Sequence, residues 1–315
     1  RRKAKLYIFS ILIMSSFFPR LLWFLSPLVL VILLMEVSLR SIPNDYIKKE
    51  NIFTSRNGEI ETLILGSSHC LYGLDPKYFD QSSFNLAHVS QTIDIDLAFL
   101  NKYLVDLKHL KTIVIRLSYP TLFERLGNTS ESWRVKNYNI YYGLDIPNPY
   151  FNRTEVFSND LDVNISRLFN YYIKRESNIN CSEYGWGNSF HSSVNNNLER
   201  SGIVSSRRHL IEDHQYFQIC KNELAEMVSI CEGHNIQLIL FTPPGYVSYR
   251  NLLDERQLMM TVDTGEEFAS QSEFCSYYNL LADSSFVEED FYDADHLNEI
   301  GAKKLSLFFN KVIEK

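Results

Sequence analysis

With 315 residues, 45% of them apolar and 22% charged, the chain has enough hydrophobic side chains for one large core or two small ones. Its net charge of -7 argues against a nucleic-acid partner, which needs a basic surface. Five scattered cysteines (Cys70, Cys181, Cys220, Cys231, Cys275) with no CxxC pair are neither a disulfide framework nor a zinc site.

The chain opens on Arg-Arg without Met, as a fragment would, and runs into an apolar stretch over 6–35. A bilayer core takes about 20 apolar residues in a helix, so a span over 18–38 is predicted, with Arg20 snorkelling at one face. Residues 6–17 then lie along the interface or extend the helix. A cleaved signal peptide is the alternative, but no small-residue cleavage site follows. Arg1, Arg2, Lys3, Lys5 and Arg20 precede the span and place the N-terminus in the cytoplasm, although Arg40, Lys48 and Lys49 lie beyond it. The remaining chain then faces the periplasm or exterior of an inner membrane.

Residues 41–59 are polar and turn-rich, and read as a linker. Apolar strands are predicted over 60–67, 83–87, 111–120 and 236–245. Helices are predicted over 92–110, where Leu97, Leu100, Leu104 and Leu107 recur at steps of three and four, over 216–235, which puts Cys220 and Cys231 in the core, and over 296–315. Strands separated by helix-length segments imply parallel βαβ units covered on both faces. Residues 121–215 break the rhythm with Asn, Ser and Tyr, and read as an insertion over the sheet's ligand edge. The organisation expected is an anchor over 1–40, a linker over 41–59 and an α/β domain over 60–315.

In such sheets ligands bind beyond the carboxyl ends of the strands. Gly66, Ser67, Ser68 and His69 occupy such an end, where Gly66 permits a tight turn and backbone N–H groups can face an oxyanion. A serine hydroxyl needs a base, and the base needs an orienting group. Asp293 stands three residues before His296, so in a turn its carboxylate can hold Nδ1 and leave Nε2 free. Asp295, adjacent in sequence, is expected to point elsewhere and ranks second.

The segments LGSSHCLYGLDP, FNLAHVSQT and DADHLNEIGA together resemble the SGNH/GDSL hydrolase superfamily, over about residues 60–118 and 235–313. Membrane-anchored members from Bacteroides-like envelopes are the most similar, and proteins of alginate O-acetylation and teichoic-acid D-alanylation are similar in plan. The resemblance implies a flavodoxin-like three-layer α/β/α fold and an ester-directed serine mechanism, with Ser68 as nucleophile and Asp293 and His296 completing a triad. It implies an oxyanion N–H from Ser90 beside that of Ser68. The third family block carries an Asn whose amide completes the oxyanion hole, and this chain has Ser118 and Tyr119 there instead. A lost donor costs about 10²–10³ in turnover; Asn85 or Tyr119 is the substitute expected.

Other roles fit the same residues. Ser67 and Ser68 suit a helix N-cap, and Asp293 and His296 suit the start of the last helix. His69 follows the nucleophile and is expected to point away from it. His88 suits either a ligand contact or a surface loop. The Tyr and Asn side chains of 134–153 suit either a carbohydrate platform or an ordinary exposed insertion. The function expected is a membrane-anchored serine esterase or O-acyltransferase acting on ester groups, acetyl above all, of envelope or extracellular glycans, with no metal or organic cofactor. The alternatives are a degenerate glycan-binding or assembly subunit beside a membrane-bound acyltransferase, and a thiol enzyme using Cys70.

Overall fold

The computed structural model describes residues 2–147, 152–177, 179–194 and 196–314, with side chains in the first helix described from residue 19 onward. Arg1, four residues of the Tyr- and Asn-rich stretch (148–151) and Lys315 of the predicted closing helix lie outside the described residues. In chain order the elements begin with α1 (Arg2–Arg40), α2 (Asp45–Arg56), β1 (Thr62–Leu65), α3 (Ser68–Gly73), β2 (Ser83–Asn85), α4 (Ile93–Tyr103) and β3 (Thr112–Arg116). Then come α5 (Val135–Tyr141), α6 (Leu161–Leu168) running into a π turn (Phe169–Ile173), α7 (Leu198–His209), α8 (Phe217–His234) and β4 (Gln237–Thr242). The chain closes with α9 (Val247–Arg250), α10 (Glu255–Gln271), β5 (Cys275–Asn279), the hairpin β6 (Phe291–Asp293) and β7 (His296–Leu297), and α11 (Glu299–Ile313).

Five strands form one sheet in the order β2-β1-β3-β4-β5, and every neighbouring pair is parallel. This is the flavodoxin-like order of a doubly wound α/β fold. Alternation along each strand explains why the strands are continuously apolar. Leu63, Leu65, Ile113, Ile115, Leu238 and Leu240 enter one core cluster, whereas Ile64, Val114, Ile239 and Phe241 enter the other. Both faces are covered, so neither parity can be polar.

The described residues divide into two units, one of Arg1–Pro43 with Tyr150–Ser177 and one of Asn44–Pro149 with Asn178–Lys315. In the first, the 22-residue stretch Pro19–Arg40 of α1 is long and apolar enough to cross a membrane, about 33 Å at 1.5 Å per residue. The helix continues back to Arg2, so residues 6–17 extend it. In the same unit Glu36 accepts from the backbone N–H groups of Glu155 (3.0 Å) and Val156 (2.9 Å). The Tyr172 hydroxyl donates to the Ser38 carbonyl at 3.0 Å.

The second unit contains the sheet and departs from the sequence reading in three places. Residues 45–56, expected as linker, are helical, with Asn44 as N-cap and Phe53 fully buried against Phe84 and Tyr103. The stripe was disguised because Lys49 shares the buried face. Its ammonium donates to the Ala87 carbonyl, and burial lowers its pKa to about 8. The edge strand β5 and its preceding helix α10 were also missed, because an edge strand half-exposed at Ser276, Tyr277 and Tyr278 lacks a continuous apolar run. The last helix starts at Glu299 rather than 296, since His296 and Leu297 pair with the 291–293 strand and Asn298 caps the helix through Ile300 and Gly301.

Candidate active site

A cleft of about 650 Å³ opens over the carboxyl ends of β1 and β3. These neighbours flank the point where strand order reverses, the crevice that ligands occupy in open α/β sheets. Much of its wall comes from residues 121–215, including Glu124, Glu131, Arg134, Phe190, Ser205 and Arg208. β1 ends at Gly66, whose φ of +114° lies where a side chain is strained; a Cβ there would also meet Arg116 Cγ and Cys70 Sγ at 3.3 Å. The turn sets Ser68 at the first position of α3, inside the cleft.

The structure brings Ser68, His296 and Asp293 together. Ser68 Oγ lies 2.8 Å from His296 Nε2, and His296 Nδ1 lies 2.9 Å from Asp293 Oδ1. The β6–β7 hairpin makes the second contact local, and Asp293 Oδ1 also accepts the backbone N–H groups of Asp295 (3.1 Å) and His296 (2.8 Å). Burial disfavours a charged His296, but the carboxylates of Asp295 and Asp293 outweigh it and raise its pKa to about 9. Burial would raise Asp293, yet His296 and the backbone donors bring it to about 2.

Asp295 does not point elsewhere. It is 1% exposed, with Oδ2 at 3.5 Å from His296 Nδ1, at 3.9 Å from both His69 Nε2 and His209 Nε2, and at 3.5 Å from Arg208 Nη2. Ser205 Oγ donates to its other oxygen. His69 does not point away either, since its ring stacks on His296 with centroids 4.8 Å apart. Burial, then the nearby His296 charge, holds His69 well below the usual histidine pKa, and burial brings His209 to about 4. His69, Asp295 and His296 place metal-ligand atoms within 4.8 Å of one another, but both ring nitrogens of His296 are engaged, by Ser68 and Asp293.

The expected oxyanion donors separate. Ser90 lines the cleft in a left-handed conformation (φ 58°), and its hydroxyl donates to Glu131. Asn85 is not available, because both amide hydrogens go to the carbonyls of Cys70 and Leu74 (2.8 Å each) and its oxygen accepts from Ala87 (3.0 Å). It braces the turn after β1. Ser118 borders the cleft, with its hydroxyl 2.8 Å from that of Thr121. Tyr119 is corrected as well: it is 2% exposed, and its hydroxyl accepts from the Asp254 N–H (3.1 Å) at the start of α10. His88 is neither ligand contact nor surface loop; it stacks on Tyr46 at 4.0 Å and bonds the Tyr142 hydroxyl at 2.7 Å. Tyr138 and Tyr142 of the stretch 134–153 are core residues, whereas Tyr141 is half-buried. Cys70 is fully buried, and burial pushes its thiol up to about 12, the wrong direction for a nucleophile.

Arg116 is the residue the sequence reading missed. It ends β3, is 4% exposed and lines the cleft. Its Nε donates to Ser67 Oγ and its Nη2 to the Gln91 carbonyl, while Nη1 is buried without a protein acceptor. Among the described residues no carboxylate lies within 4.0 Å of it, and its charge is offset from farther away by the buried Asp96 and by Glu124 of the cleft wall. The signal was present: "IVIRLS" puts a charge at the carboxyl end of a buried parallel strand.

No family model and no curated protein matches the chain. Among solved structures it is similar to a GDSL-like lipase from Bacteroides thetaiotaomicron, at 10% identity and a TM-score of 0.41, covering 85% of this chain and 98% of that one. It is also similar to a candidate acylhydrolase from Bacteroides fragilis, at 10% identity and a TM-score of 0.40, covering 83% of this chain and 94% of that one.

Proposed function

We propose that the chain is a serine ester hydrolase or O-acyltransferase of SGNH/GDSL type, anchored by α1 in the inner membrane with its α/β unit outside the cytoplasm, acting on ester groups of envelope or extracellular glycans. The observation that carries the catalytic part is the relay from Ser68 Oγ through His296 to Asp293, at 2.8 and 2.9 Å, at the mouth of a cleft.

Ser68 Oγ attacks the ester carbonyl carbon as His296 Nε2 takes its proton. The carbonyl π electrons move to oxygen, giving a tetrahedral oxyanion. That anion is met by the N–H groups of Ser68 and Ser90 and by Arg116 Nη1, which supplies the charge the family's Asn amide does not. Collapse expels the alcohol, which takes the proton from His296 and leaves acyl-Ser68. Water, or a sugar hydroxyl in transfer, then attacks the acyl carbon with His296 again as base, and Ser68 recovers the proton. The charge of two carboxylates beside His296 stabilises the imidazolium that forms at each attack. No step calls on a metal or organic cofactor.

A fluorophosphonate probe tests this reading. Labelling at Ser68, abolished in Ser68→Ala and His296→Ala, is the expected result. No labelling of a folded wild-type protein would overturn it in favour of a non-catalytic glycan-binding or assembly subunit beside a membrane-bound acyltransferase.

A further inference from the structure

In the unit that contains α1, one helix wears its apolar side outward. Along α6 and the π turn, Leu161, Ile165, Phe169 and Ile173 recur at steps of four and are 61%, 53%, 50% and 67% exposed. The inward side is mixed, with Leu168 and Tyr171 half-buried beside polar groups. Asn164 is fully buried, with its amide donating to the Val156 carbonyl at 3.0 Å, and Arg167 pairs with the buried Glu155 carboxylate at 2.6 Å. A helix packed in water turns its apolar stripe to the core. This one keeps four large apolar side chains outward, as a helix does when its outer neighbour is lipid.

The position of the stripe names the neighbour. The same segment is tied to the carboxyl end of the apolar span, through Glu36 to the N–H groups of Glu155 and Val156, Arg40 Nη2 to the Arg153 carbonyl at 2.8 Å, and Tyr172 to the Ser38 carbonyl. That end is where a spanning helix leaves the hydrocarbon. The turns of α1 just before that end carry lipid-type surface, where Leu33, Leu34 and Val37 are 56%, 58% and 63% exposed. Exposed Lys174 and Arg175 follow directly, suited to anionic headgroups.

We infer that α6 and the π turn form an interfacial helix, lying in the bilayer plane at the exit of α1 with Leu161, Ile165, Phe169 and Ile173 about 5–10 Å into the headgroup–acyl boundary. It is a second point of attachment, which fixes the tilt and rotation of the anchor where a single span leaves both free. The inference rests on the reading that α1 crosses a membrane.

The experiment uses the full chain in phosphatidylcholine vesicles containing phosphatidylglycerol, labelled with the fluorophore NBD at one introduced cysteine, since all five native cysteines are buried. Ile165→Cys reports the stripe, Val29→Cys the span, and Val105→Cys an 84% exposed site in the other unit. The expected result is that deep doxyl-lipid quenches position 29, shallow doxyl-lipid quenches position 165, iodide in the water quenches position 105, and emission from 165 is blue-shifted relative to 105. If doxyl-lipid spares position 29, the membrane reading fails and the inference fails with it. If position 29 is quenched by lipid while 165 is quenched by iodide as fully as 105, the interfacial helix alone is overturned. Protection of position 165 from both quenchers means that protein covers it, a second copy or a partner, and also overturns the inference.

Discussion

His296, the base of the proposed mechanism, is held by two acids. Asp293 binds His296 Nδ1 and the hairpin N–H groups, while Asp295 adds its charge from 3.5 Å and is itself hedged by three histidines and Arg208. A general base must be neutral, and His296 has a pKa of about 9, so hydrolysis of a neutral ester rises with pH as that proton leaves. We expect the kcat/KM of p-nitrophenyl acetate hydrolysis to climb from pH 6.5 with a midpoint near 9. Asp295→Asn removes the largest contribution that raises His296 and moves the midpoint to lower pH, with Ser68 still labelled by fluorophosphonate. A midpoint unmoved in that variant would assign Asp295 to packing alone. Arg116→Gln, with Nη1 gone, should lower kcat by about 10²–10³ and leave KM near the wild-type value. If instead only acidic substrates suffer, and in KM, Arg116 receives a fixed carboxylate and not the oxyanion. Ser68, Asp293 and His296 were legible because each sits in a short local motif. His69, His209, Asp295 and Arg116 converge from four elements, and their mutual distances appear nowhere in the order of residues.

α2 shows how one buried cation can hide an element. Tyr46, Lys49 and Phe53 follow helical spacing, yet a lysine in the stripe makes the segment read as solvated chain. Phe53→Ala should cost about 3–5 kcal/mol in urea unfolding, the value for emptying an aromatic core site; a linker residue would cost almost nothing. The turn after β1 depends likewise on a residue without chemistry of its own. Asn85 satisfies two carbonyls and one N–H; the Cys70 carbonyl keeps the Leu74 N–H, but Asn85→Ala removes the side-chain partner of the Leu74 carbonyl and the Ala87 N–H at about 1–3 kcal/mol per buried group. The same variant should slow fluorophosphonate labelling, because the turn it braces carries Ser68. A loss of stability with the labelling rate unchanged would separate the brace from the site.

Two opposed sets of histidines shape stability against pH. His69, His88 and His209 are buried and held below the unfolded value of about 6.5, so the unfolded chain binds protons that the folded chain refuses. Each such group makes stability fall as pH drops below about 6.5, by about 1.4 kcal/mol per pH unit, down to about 4 for His209. His296 works the other way. Its folded pKa is raised, so its contribution is complete below about 6.5 and is lost as pH rises through 9. Asp96 and Glu124 oppose the buried histidines, because burial raises both to about 7 and the folded chain binds their protons as pH falls through that range. The histidine contribution is therefore read singly: His209→Gln should make the Tm of the variant fall less, or rise more, than the wild type between pH 6.5 and 5, and an unchanged difference would contradict the burial of His209.

Strand and helix periodicity, the apolar stretch and the two candidate site motifs follow from local order, because a parallel strand buried on both faces, a bilayer-length helix and an Asp-x-x-His turn each leave a pattern within a few residues. The fold class was therefore readable before any coordinates. Only the folded chain decides that Ser68 meets His296 across 228 positions, that a second carboxylate stands behind His296, that Arg116 faces the cleft with no carboxylate in contact, and that α6 turns four large apolar side chains out. Those are contacts between segments far apart in the chain. Burial and electrostatic strength depend on what surrounds a group in space, which no single segment encodes.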